Sequence, residues 1–106
     1  MATVFVTQEV NHNFTKAEQF GEIDFITRDD LNNTRNSIHN ENLVSEIKHK
    51  LRNFNESEDW LVIAGSPYVS ALVFMILGQK GVKNLNILRW DNRDYIYTPM
   101  YIETRG

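Results

Sequence analysis

Gly65-Ser66-Pro67 is the place where residue types and spacing in this chain permit ligand chemistry. The triplet follows one apolar run, Trp60 to Ala64, and precedes another, so it reads as the end of a strand and the start of a helix. Open α/β sheets take ligands at such points, because a helix N-terminus offers unpaired N–H groups and a partial positive charge. Gly65 lets a backbone approach closely, and Ser66 can donate to a phosphate or carboxylate. Neither a GxGxxG fingerprint nor a P-loop Lys-Ser/Thr is present. The same three residues serve equally as a turn, an N-cap and a first helical residue.

A second group is Arg89-Trp90-Asp91-Asn92-Arg93-Asp94-Tyr95-Ile96-Tyr97. Its aromatic and arginine residues (Arg89, Trp90, Arg93, Tyr95 and Tyr97) are types enriched at interface hot spots. Aromatics interleaved with arginine also stack on nucleotides or single strands. Ordinary cross-strand aromatic pairs fit the pattern too. Asp91 and Asp94 dilute any basic patch.

Other chemistry finds little support. His12, His39 and His49 are scattered without metal-ligand spacing. Asp29-Asp30 and Asp91/Asp94 do not follow the calcium-loop spacing. With no cysteine there is no thiolate ligand, thiol nucleophile or disulfide. No acid–base or nucleophile constellation stands out, so an enzyme is the weakest reading, and no metal or cofactor is called for.

The elements that must position these residues follow from hydrophobic period. Val4-Phe5-Val6 starts a strand over Thr3 to Val10, and Ile23 and Phe25 alternate with acidic neighbours in a strand over 22–27. Thr15, with Glu18 three residues on, has capping-box spacing for a helical turn over 15–19. Residues 28–40 read as a loop. A helix capped by Asn40 or Asn42 runs to about Asn53, with Leu43, Val44, Ile47, Leu51 and Phe54 on one face. The core is a βαβ unit: strand 60–64, helix 67–80 and strand 85–90, parallel with a right-handed crossover. Gly81 caps the helix, and a turn over 91–94 leads into a return strand from Tyr95 to Ile102. Pro99 assigns that last strand to an edge or a bulge. The helix from Pro67 is apolar nearly all round, so it needs burial on more than one side, between layers or against a second copy.

The expected fold is therefore a single α/β domain over 1–106, a mixed sheet of about five strands with a C-terminal hairpin. Its 106 residues, 42% hydrophobic and 24% charged, are ordinary globular values. A net charge of −3 argues against nucleic acid as the default partner. The N-terminus has no signal-peptide pattern, and the most apolar stretch, Tyr68 to Leu77, is about half a bilayer span. A cytoplasmic protein without membrane contact is expected.

Asp59-Trp60-Leu61-Val62-Ile63-Ala64-Gly65-Ser66-Pro67, the apolar helix after it, and Leu85 to Asp91 with Tyr95 and Thr98-Pro99 resemble a group of small proteins of tailed bacteriophages, many of them marine or cyanobacterial. Phe20-Gly21-Glu22 matches an element of their N-terminal half. The resemblance covers about two-thirds of the chain, outside 28–40. It implies a phage accessory protein made in a bacterial host, and it transfers no catalytic residue. Two functions stay open. One is a non-enzymatic interaction module, pairing with itself as a homodimer or with a host or phage protein through the hairpin and the apolar helix. The other is a binder of a small nucleotide- or phosphate-type anion at Gly65-Ser66-Pro67.

Overall fold

The computed structural model describes residues 2–104. Five strands form one sheet: β1 (Thr3–Val6), β2 (Glu22–Phe25), β3 (Trp60–Val62), β4 (Asn84–Asp91) and β5 (Ile96–Glu103). Their order across the sheet is β2-β1-β3-β4-β5. The first four are parallel and β5 returns antiparallel to β4, which makes the expected mixed α/β sheet. Helix α1 (Ile38–Lys50) joins β2 to β3, and helix α2 (Pro67–Gln79) joins β3 to β4 as the βαβ crossover.

This order reverses direction at β1. The chain first adds β2 on one side, then crosses back to add β3 and β4 on the other. Right-handed connections must then lie on opposite faces. Accordingly a 3-10 turn, Thr15–Phe20, covers the back of the sheet, while α1 and α2 cover the front.

The two faces are filled differently. In front, Phe5, Leu61 and Ile87 lie in one row across β1, β3 and β4 beneath Ile47, Val73 and Leu77. Register continues the row to Met100 on β5, and there the cover stops: Phe5, Leu61 and Ile87 are 5%, 0% and 3% exposed, Met100 37%. At the back a single short turn must do the work of a helix, and aromatic rings fill the space. Phe14 packs on Phe25, Phe20 on Trp60, and Trp90 on Tyr97, with ring centroids 5.5, 5.2 and 4.9 Å apart. Such tilted and edge-on pairs add to what their area alone contributes.

Several boundaries differ from the pattern in the sequence. Strands β1 and β3 end at Val6 and Val62: the Thr7 N–H still reaches the Val62 carbonyl, but beyond it the Ala64 backbone bonds to the Thr7 hydroxyl and the Ser66 N–H to the Gln8 side chain. Thr15 does not cap: the N-cap position is Phe14, with no side-chain bond, and the Thr15 hydroxyl donates to Asn13. Helix α1 starts three residues early. Its cap is Ser37, whose hydroxyl accepts the Asn40 N–H, while the Asn40 side chain holds both backbone polar groups of Asn32. That exchange, with His39 Nε2 2.6 Å from the Asp30 carbonyl, pins the 28–37 loop to the start of the helix. The Gly81 cap forms as expected, at φ +86°, with Gly81 and Val82 N–H groups donating back to Gly78 and Leu77.

Candidate functional site

The switch point between β1 and β3 is where a doubly wound sheet opens a crevice at its carboxyl edge, and Gly65-Ser66-Pro67 lies there. Gly65 takes φ +76°, a left-handed conformation that glycine adopts freely. Ser66 caps α2 and Pro67 occupies its first turn. The sequence reading of those three positions as turn, cap and helix start is what the geometry contains.

The crevice is filled by the chain's own polar groups. Gln8, next to the end of β1, accepts the Ser66 N–H on Oε1 at 2.7 Å and donates from Nε2 to the Asp29 carbonyl at 3.0 Å. The Ser66 hydroxyl accepts from the N–H groups of Tyr68 and Val69 and donates to Asp30 Oδ1 at 3.0 Å. Thr7 exchanges bonds with both polar groups of the Ala64 backbone, and the Ser70 hydroxyl donates onto Thr7. Thus the helix N-terminus already spends its first donors internally, and the nearest charge is a carboxylate. An anion entering here must displace Gln8 and Asp30. Nothing in the sequence singled out Gln8 or Asp30 for this role; a short-range motif cannot register contacts 58 and 36 residues apart.

The hairpin residues are divided between core and surface. Tyr97 is buried at 3%, and burial pushes its phenol pKa up. Trp90 is half-buried: its ring lies against His12, Tyr95 and Tyr97, and its indole N–H donates to Asn92 at 2.7 Å. Tyr95 is 62% exposed and adopts φ +54°. Arg89 and Arg93 flank a shallow hollow beside Trp90 and Asp91. His12, which the sequence offers only as one of three scattered histidines, therefore becomes part of the hairpin corner across 78 positions.

The outer surface of α2 remains uncovered. Val69, Val73, Ile76 and Leu77 face the sheet, but Tyr68 and Met75 are 70% and 64% exposed. The front face of the edge strand β5 likewise presents Ile96, Met100 and Ile102, all partly exposed. Among the described residues, no group of three His, Asp or Glu side chains is placed to hold a metal ion, and no helix is long and apolar enough to cross a membrane.

Topology and site together define a small α/β protein whose switch-point crevice is closed by its own side chains and whose exposed apolar residues lie on a helix and an edge strand. The family described as Phage Pam3 gp32-like protein matches residues 2–104, and the chain belongs to it. The resemblance to small phage proteins thus extends over nearly the whole chain. No curated protein and no solved structure matches it.

Proposed function

We propose that this phage-family protein is a non-enzymatic, self-associating module that pairs with a second copy through the outer face of α2 and the front face of β5. The observation carrying this reading is the mismatch between composition and cover on α2. The helix is apolar nearly all round, and while Leu72 and Phe74 also pack against the core, Tyr68 and Met75 stay exposed. An apolar surface left open on both a helix and an edge strand is the usual mark of an interaction site.

The absence of charge favours a second copy as the occupant. From Pro67 to Gln79 the helix carries no Asp, Glu, Lys or Arg. A two-fold interface sets each surface against itself, so a charged face repels its copy while a neutral one does not. The rest of the chain, at a net −3, offers no such neutral face of similar length.

Light scattering after size exclusion tests this. The parent protein is expected at twice its 12.4 kDa chain mass, and Met75→Glu at the single mass with unchanged far-ultraviolet circular dichroism. Met75 is largely exposed, so the substitution leaves the core intact. A parent protein that stays at the single mass throughout the micromolar range sinks the proposal.

A further inference from the structure

The back of the sheet carries a cleft that neither the core nor the α2–β5 surface uses. It measures about 490 Å³ and is lined by His12, Asn13, Lys16, Trp90, Asn92 and Tyr95. Its walls are rings: His12 meets Trp90 edge-on at 5.2 Å, and Tyr95 stands 6.3 Å from Trp90. Its rim is tied together, because Lys16 Nζ donates to the Tyr95 carbonyl at 2.6 Å across 79 residues of chain. The cleft is therefore already formed without a ligand.

Tyr95 is the unusual wall. A tyrosine at φ +54° holds a left-handed backbone that glycine or asparagine takes far more easily. Burial does not compensate for that strain, since the residue is 62% exposed. That backbone closes the hairpin, where the Tyr95 N–H donates to the Asp91 carbonyl at 2.8 Å, and it sets the exposed ring on the cleft wall beside Trp90.

The polar groups around the cleft are biased to one sense. The Asn13 side-chain oxygen already accepts from Thr15, and that of Asn92 from the Trp90 indole. What remains are the amide N–H groups of both asparagines and the spare hydrogens of the Lys16 ammonium, all donors, beside the His12 imidazole and the Tyr95 hydroxyl, which can each donate or accept. Among the described residues, no carboxylate lines the cleft. The nearby Asp91 spends one oxygen on the N–H groups of Arg93 and Asp94.

We infer that this cleft binds a small planar aromatic anion. Its ring lies against Trp90 and Tyr95, and its negative group takes the Lys16 ammonium and the asparagine amides. A nucleoside phosphate and an aromatic carboxylate share this chemistry. Proton–nitrogen NMR of the labelled protein tests it, with adenosine monophosphate, indole-3-acetate and inorganic phosphate as probes. The expected result is a saturable shift of the Trp90 indole N–H and of the Asn13 and Asn92 amides with at least one aromatic probe and none with inorganic phosphate. Response to adenosine monophosphate alone identifies a nucleotide site, and to indole-3-acetate alone an aromatic-acid site. Tyr95→Gly, which relaxes the backbone and so melts no lower than the parent, is expected to weaken binding about tenfold. No saturable shift with either aromatic probe, or equal affinity in Tyr95→Gly, overturns the inference.

Discussion

Gln8 accepts the backbone N–H of Ser66 at 2.7 Å, and a Cβ on Gly65 would fall 1.9 Å from that same Gln8 oxygen. One side chain thus closes the switch point and dictates its glycine. Gln8 is nearly buried, at 9% exposure. Removing its carboxamide in Gln8→Leu leaves the Ser66 N–H and the Asp29 carbonyl without their partner, which costs about 2 kcal/mol. Gly65→Ala forces Gln8 away and strains a positive φ, for a similar cost of about 2 kcal/mol. Because both changes break the same contact, the double variant is expected to lose clearly less than the two separate losses combined. Urea denaturation of the four proteins measures this, and strict additivity removes Gln8 as the reason for Gly65.

The βαβ core, Gly81 and the edge placement of the last strand were legible in the sequence because each rests on local chemistry. Trp60 to Val62 is apolar without alternation, Ser66-Pro67 opens a helix, and Pro99 lacks an N–H. The strand order was not legible, since nothing near β1 states that it lies between β2 and β3. The cap of α1 escaped for a related reason: Asn40 and Ser37 are both good caps, and the pairing of Asn40 with Asn32 decides between them. Likewise the hairpin list mixed a core residue, Tyr97, with surface ones, because alternation fixes two faces without saying which is covered. The self-contained crevice around Gln8, Ser66 and Asp30 is a product of topology.

Glu56 carries a pH dependence that can be isolated. Its Oε2 accepts the N–H groups of Asn84 at 2.7 Å and Lys83 at 2.9 Å, at the start of β4. Those backbone bonds, chiefly that of Asn84, hold its carboxyl below the usual carboxylate range, aided by the Lys83 charge. A depressed folded-state pKa stabilises the fold above the unfolded value and ceases to do so as pH falls through the folded one. Glu56→Gln is therefore expected to lower the melting temperature at pH 7 and leave it nearly unchanged below the folded pKa. Thermal melts across that acid range check the sign. A deficit that persists undiminished at the acid end contradicts the charge-based account.

Pro99 interrupts the outward row of N–H groups on the open edge of β5. Thr104 N–H donates to the Lys83 carbonyl, so even-numbered residues of β5 turn their N–H groups toward β4 and odd-numbered ones toward the open edge. Pro99 is odd and lies opposite Leu88, so its missing donor is one the edge lacks and the ladder never used. An eight-residue edge strand is long enough to recruit another strand, and a proline at its middle blunts that tendency. The pairing proposed above, through the faces of α2 and β5, does not need that edge. Pro99→Val restores the outward donor without touching the β4 bonds. It is expected to change stability by no more than about 0.5 kcal/mol while raising the mass of soluble aggregates in light scattering. A Pro99→Val protein that is markedly destabilised, or that remains as free of aggregate as the parent, shows that the proline acts within the fold and not as a guard on its edge.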